Sequence, residues 1–206
     1  MKFTSESKFF LGIVGATAFI VIAAVILLSQ PQKPIAKEEL ISASAPTRGD
    51  KDAKTWLVEF SDFQCPACKA FSNVVDELTA KYPDTLFIAY RHFPLPQHPL
   101  ALKAGIAAEA AGAQGKFWDM EKLLFANQDT LSEAKFAELA GQLKLNMTAF
   151  ASASSDTKIV DKINTDVSYG NKLGLNATPT FFLNGVKLEV AQPNDLKIKV
   201  EEAINK

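Results

Sequence analysis

Cys65 and Cys68 are the only cysteines in the 206-residue chain, and two residues separate them. Thiols at this spacing can close and reopen a disulfide, or supply half of a metal site. A zinc site would need both histidines, His92 and His98, and Cys-x2-Cys-x23-His-x5-His matches no familiar ligand pattern. A purely structural bridge is disfavoured, because closing so short a loop removes little entropy from the unfolded chain. Redox chemistry is the reading that the flanks support. A β-forming run, Thr55 to Phe60, precedes the pair, and Phe71, Val74, Val75 and Leu78 follow at helical spacing. The dithiol therefore falls where a strand gives way to a helix N-terminus, whose free N–H groups and partial positive charge favour a thiolate. Pro66 suits the first turn, where its missing N–H costs nothing.

Other residues carry sharper and blander readings. Glu59, in the strand before the dithiol, is either an edge residue facing water or a buried acid. Pro179 begins a second β-rich run, and X-Pro bonds are cis in only about one in twenty cases. His92 and His98 are candidate proton carriers, but a strand-end histidine and one flanked by Gln97 and Pro99 are more often structural. Phe63, Leu95 and Phe181 are candidates for an apolar groove, with core packing the expected job for Phe181. Arg48-Gly49-Asp50 spells an adhesion triplet and is expected to be a polar turn. Asn146-Met147-Thr148 and Asn176-Ala177-Thr178 fit the glycosylation triplet, and the second would put a glycan beside the dithiol.

The elements that must position these groups follow in order. Thr55–Phe60 is a strand, Cys65 to about Lys81 a helix, and Thr85–Phe93 a second strand, which makes a parallel βαβ unit. Pro94 to Pro99 breaks the pattern. Helical segments follow: Leu100–Ala113, Lys116–Asn127, Ser132–Leu143, Asn146 to about Ala153, and Asp156–Gly174. Thr178–Leu183 returns to strand, Asn184-Gly185 makes a two-residue hairpin into Val186–Val190, and Pro193–Asn205 closes as a helix. The fold class is α/β, with a helical insertion at about 97–174.

Ahead of this domain, residues 9–28 form an uncharged apolar run long enough to span a bilayer. It exceeds the usual apolar core of a cleaved signal and lacks a small-x-small cleavage site, so a transmembrane anchor is expected over a signal peptide. Residues 1–8 would then be cytoplasmic. Lys2 and Lys8 before the span are matched by Lys33 and Lys37 after it, so charge sets orientation weakly. Residues 29–52, rich in Pro, Ser, Ala and Lys, are expected to be a linker, with a short helix near Lys37–Ser42, and 53–206 the domain. Such an arrangement exports the domain to a compartment where disulfides persist. The net charge of −1, with 48% apolar residues, argues against nucleic acid or another polyanion as a partner.

Four stretches together resemble the DsbA-like branch of the thioredoxin-fold thiol–disulfide oxidoreductases, particularly the membrane-anchored bacterial type. They are Val58-Glu59-Phe60 ahead of Cys-Pro-x-Cys, Tyr90-Arg91-His92-Phe93-Pro94-Leu95, Gly115-Lys116-Phe117-Trp118, and Ala177-Thr178-Pro179-Thr180-Phe181. The resemblance covers Thr55 to the C-terminus. It implies that Cys65 is the exposed nucleophile, Cys68 the buried resolving thiol, and Pro179 a cis-proline facing them. It also implies that Thr178 offers its backbone to an extended client, with Pro66 and Ala67 beside the same surface. Glu59 matches the buried acid beneath the dithiol, which exchanges a proton with Cys68. Ala67 departs from the histidine that strongly oxidising members carry there, which lowers the oxidising power expected. The implied activity is oxidation of cysteine-containing exported clients at the outer face of the cell membrane. It needs no cofactor beyond the Cys65–Cys68 disulfide and implies a quinone-linked membrane partner for reoxidation. The rival readings are a reductase or isomerase, a tethered chaperone for unfolded exported chains, and a cysteine-ligated metal carrier.

Overall fold

The computed structural model describes residues 13–23 and 33–206. Residues 13–23 are helical. The expected span at 9–28 runs beyond them at both ends, and residues 1–8 also lie outside the described residues. Among the described residues, no helix is long and apolar enough to cross a membrane.

Residues 35–206 form one folded unit. Its centre is β2 (Thr55–Ser61), paired in parallel with β3 (Leu86–His92) and antiparallel with β4 (Thr180–Leu183). Every residue of these three strands is buried, as expected of strands covered on both faces. α2 (Pro66–Lys81) connects β2 to β3, and its apolar stripe Phe71, Val75 and Leu78 packs on Leu57, Ile88 and Phe181. α8 (Pro193–Ile204) adds Leu196 and Val200 to that layer. The opposite face, built on Trp56, Val58, Phe60, Ala89 and Phe182, is covered by Leu40 and Leu175.

Between β3 and β4 lie α3 (Ala101–Gly112), α4 (Phe117–Ala126), a 3-10 turn (Gln128–Thr130), α5 (Glu133–Gln142), α6 (Met147–Ser154) and α7 (Thr157–Lys172). α3 is alanine-rich, so neighbouring helices approach closely, and Met120, Leu124, Leu139 and Phe150 fill the space around it. Ser132, Asn146 and Asp156 cap α5, α6 and α7 through their side-chain oxygens. Buried Arg91 ties the insertion to the sheet: Nε donates to Asp166 on α7 at 2.5 Å, and a terminal nitrogen donates to Leu40 O at 2.7 Å.

The hairpin after β4 forms as expected, with Asn184 and Gly185 both at positive φ. Its second strand, β5 (Val186–Lys187), is shorter than the expected Val186–Val190. Pairing thins out beyond Leu188, which still donates to Phe181 O, and Leu188 and Val190 pack against the α2–α8 layer.

The larger departure lies in the expected linker. α1 (Lys37–Leu40) and β1 (Thr47–Gly49) both belong to the folded unit. β1 pairs antiparallel with β3, so the sheet order is β1-β3-β2-β4-β5. Ile35 N donates to Gly185 O at 2.9 Å, so close an approach that a side chain at Gly185 would strike the Ile35 backbone. Arg48 turns inward, its guanidinium 4.1 Å from the Trp118 ring and 2.6 Å from Asp76, so the adhesion triplet is a piece of strand and not a displayed turn. Gly49, at φ +85°, lies where any Cβ would collide with Leu86 O. A linker residue could be truncated freely, whereas Leu40 is completely buried. Leu40→Ala is therefore expected to destabilise the domain by about 2–4 kcal/mol, read as a lowered urea midpoint at unchanged slope.

Candidate active site

The loop between β2 and α2 is shaped by Asp62, whose carboxylate is buried among three partners. Its Oδ1 accepts from Gln64 N at 2.7 Å, and its Oδ2 accepts from Leu95 N at 2.8 Å and lies 2.7 Å from His98 Nδ1. Asp62 O accepts from Cys65 N, and Asp62 N lies 3.5 Å from Cys68 Sγ. Gln128, from the 3-10 turn of the insertion, donates to both Phe63 O and Cys65 O at 2.8 and 3.0 Å. Gln64 Oε1 in turn accepts from Leu100 N at the start of α3. Strand, helix and insertion thus hold the dithiol loop from three sides.

Cys65 is the N-cap of α2 and Pro66 stands at N1. Both cysteines are free thiols. Cys65 Sγ donates to Thr178 O at 3.3 Å, and the Thr178–Pro179 peptide bond is cis. Pro66 and Ala67 are exposed, Pro179 is half-buried and Cys68 is fully buried. The expected exposure of Cys65 needs correction. Only 7% of its surface is accessible, because its sulfur lies against the Thr178–Pro179 segment, and a client must approach along that segment.

The two thiols are electrostatically opposite. Hydrogen bonding from the Cys68 thiol brings the Cys65 pKa down to about 5 against the opposing effect of burial, with help from Thr178 and the Cys68 and Ala67 N–H groups. Those two N–H groups are the free donors of the helix N-terminus. Burial pushes Cys68 well above the ordinary thiol range, and the neighbouring Cys65 and Glu59 add to the effect. Glu59 is buried in the middle of β2, opposite Tyr90 on β3, which rules out the edge-residue reading. Burial raises it to about 7 against weaker opposition from Ser61 and Arg48.

The other candidates divide. Phe63 and Phe181 are core residues rather than groove residues: Phe63 stacks on Tyr90 with centroids 5.3 Å apart, and Phe181 packs on Phe71. Leu95 is half-buried beside the sheet core. His92 Nε2 lies 2.8 Å from Glu109, which also pairs with Lys162, so it ties β3 to the insertion. Neither histidine ring meets the cysteines in a ligand quartet, and among the described residues no three His, Cys, Asp or Glu side chains are grouped to hold a metal ion. Sequence reasoning passed over Asp62 and Gln128. Asp62 had a visible signal, since an acid three residues before a helix-capping cysteine suits an Asx turn. Gln128 had none.

A family model described as Thioredoxin matches residues 42–202. The chain belongs to the thioredoxin family. This thioredoxin-family chain is 38% identical over 143 residues to the Na(+)/H(+) antiporter NhaA 1 of Mycolicibacterium vanbaalenii, a match covering 68% of this chain and 23% of that protein. The chain therefore spans about a quarter of the length of the curated relatives it matches. Among solved structures it resembles the thiol-disulfide exchange protein alpha-DsbA2 from Wolbachia pipientis, with a TM-score of 0.72 and 22% identity over 81% of this chain and 91% of that one. It also resembles oxidised BdbD from Bacillus subtilis, with a TM-score of 0.68 and 22% identity over 79% and 94%. These likenesses establish a thioredoxin fold with a DsbA-like helical insertion.

The raised Glu59 pKa has a consequence for stability. A carboxyl that is harder to ionise when folded stabilises the fold fully below its unfolded value near 4.5, and the contribution is lost as pH rises through about 7. Glu59→Gln is therefore expected to gain on the parent between pH 4.5 and 8.5, by up to about 3 kcal/mol. Urea unfolding of the two reduced proteins at both pH values checks this, and parallel pH profiles would refute it.

Proposed function

We propose that this chain is a thiol–disulfide oxidoreductase that introduces disulfides into exported proteins through Cys65 and Cys68. The observation that carries the reading is the placement of Cys65 Sγ at the N-terminus of α2, 3.3 Å from the carbonyl that precedes cis Pro179. The next turn places Cys68 in a fully buried position. One thiol thereby lies at the surface of an extended-peptide edge, where it serves as the leaving group, and the other is fully sheltered.

The cycle begins with the Cys65–Cys68 disulfide. A client thiolate attacks the Cys65 sulfur, forming a mixed disulfide and expelling Cys68 as a thiolate that takes a proton from Glu59. A second client thiolate then attacks the client sulfur, releasing the oxidised client and the Cys65 thiolate. A thiolate stabilised at Cys65 is a good leaving group and favours the reduced enzyme, which is the thermodynamic basis of an oxidant. Thr178 and Pro179, with exposed Pro66 and Ala67 opposite, form the client-binding edge.

The site of action follows from the same reading. Exported clients put the domain outside the cytoplasm. Residues 13–23 support a tether, since the helix exposes Ile13, Val14, Phe19, Ile20, Val21 and Ile22. A quinone-linked membrane protein is the proposed source of oxidising equivalents. The antiporter name belongs to relatives about three times as long, and ion exchange is not part of this proposal.

A second reading, a reductase or isomerase, is favoured by Ala67, which supplies no charge to the thiolate where a histidine would. The reduction potential separates the two. Equilibration against glutathione is expected to place it near or above about −180 mV, and a value near about −270 mV would make the chain a reductant. In cells, Cys68→Ser is expected to accumulate mixed disulfides with exported clients that Cys65→Ser does not form. Their absence would remove the assigned roles.

A further inference from the structure

A second buried carboxyl lies near Glu59. Glu121, on α4, is only 2% exposed, and its Oε2 has no hydrogen-bond partner. Glu59 Oε1, Ser61 Oγ and Tyr90 OH are likewise buried without partners. Arg48 makes no ion pair with Glu121: its NH1 bonds to Asp76, and its Nε and NH2 are likewise buried without partners. Burying polar atoms without partners costs about 1–3 kcal/mol each, so a seam of them within an otherwise well-packed layer asks for a function.

The seam has a direction. Cys68, Ser72 and Asp76 succeed one another at four-residue spacing along α2, so Asp76 stands about 12 Å from the resolving cysteine along the helix. There a cavity of about 130 Å³ opens between α2 and α4, lined by Ser72, Asp76, Glu121 and Lys122 among others. Lys122 Nζ, at its solvent end, lies 3.5 Å from Asp76. Glu59 projects from β2 toward α2, on the same face as Leu57 and beside Tyr90. Glu59 lies close enough to act electrostatically on both Cys68 and Glu121, and Glu121 lines the cavity.

We propose that Glu121 is the outer member of a buried two-carboxyl proton relay that connects Glu59, and through it Cys68, to solvent by way of the cavity between α2 and α4. This rests on the oxidoreductase reading. When the Cys65–Cys68 disulfide is opened, the electron pair of the broken bond stays on Cys68 and Glu59 gives it a proton. Glu121 then reprotonates Glu59, and water at the cavity reprotonates Glu121. Disulfide closure runs the same transfers backwards. Glu121 never touches the sulfurs and is a positioning and relay residue, acting through Glu59.

The charges around the pair suit the task. Burial raises Glu121 to about 8, with Arg48 from β1 opposing and Glu59, Asp76 and Lys122 acting more weakly. Glu59 stands near 7, facing Ser61, Arg48, Asp76 and Cys65. Two acids titrating within about a unit of each other near neutral pH exchange a proton in either direction at little cost.

The test is single-turnover reduction of the Cys65–Cys68 disulfide in the full chain by dithiothreitol, followed from pH 5 to 9. Glu121→Gln is expected to slow this step about tenfold near neutral pH while leaving the Cys65 thiolate midpoint in place. Glu121→Asp should restore most of the rate, and the Glu59→Gln/Glu121→Gln pair should be no slower than Glu59→Gln alone. A Glu121→Gln profile within about twofold of the parent overturns the relay, as do losses that multiply in the double variant. Should the Gln variant fail to fold, isotope-edited infrared titration of the parent decides. Two buried carboxyls responding to dithiol oxidation are expected, and a single one overturns the proposal. The parent reading fails separately: a wild-type chain that reacts with dithiothreitol but oxidises no reduced protein client refutes the function and leaves the relay standing.

Discussion

The structure depends on keeping two thiols, one helical turn apart, in opposite electrostatic surroundings. Cys65 sits at the helix mouth, where N–H groups have no carbonyl to bond and a sulfur anion supplies the missing acceptor. Cys68 is turned under the helix into a layer where no charge is tolerated cheaply. Neither condition can be met by the loop itself. The first needs a helix that starts at Cys65 and no later, which Pro66 and the Asp62 turn enforce. The second needs a sheet beneath α2, and the all-buried strands β2 and β3 provide it.

The insertion has a structural role at the same place. Gln128 holds two carbonyls of the dithiol loop, those of Phe63 and Cys65, and Leu100 at the head of α3 is held by Gln64. His98, just ahead of α3, completes the coordination of the Asp62 carboxylate. A bare βαβ unit would leave this loop hinged only at its ends. The alanine-rich α3 matters for the same reason: small side chains let the helical block pack close enough for Gln128 to reach.

Much of this was legible in the sequence, for definite physical reasons. Long apolar runs, Asn184-Gly185, Ser132 as an N-cap and the Cys-x-x-Cys pair are local signals, and the elements they mark formed where local energetics put them. The strand ends moved by a residue or so, and β5 lost its second half where side-chain packing replaced ladder pairing. Other features depend on distant partners and were misread. The family resemblance implied an exposed Cys65, while the group that covers it, Thr178, lies 113 residues away. Phe63 could be read either as a groove residue or as core, and it stacks on Tyr90 of β3. Gln128, in a short 3-10 turn, and Glu121, on the amphipathic α4, are polar residues whose local sequence gives no hint that they point inward.

The segment read as a linker shows best how fold and chemistry are joined. Residues 35–49 carry no hydrophobic period because β1 is three residues long and borrows its order from β3. Once β1 is in place, Arg48 packs over the Trp118 ring and bonds Asp76, which brings a guanidinium charge to bear on both buried glutamates. It is the charge that opposes ionisation penalties at both Glu59 and Glu121. Without it, both carboxyls would be held protonated more firmly, and neither would be free to take the proton of Cys68 when the disulfide closes. The edge strand therefore tunes the acid beneath the dithiol as well as completing the sheet.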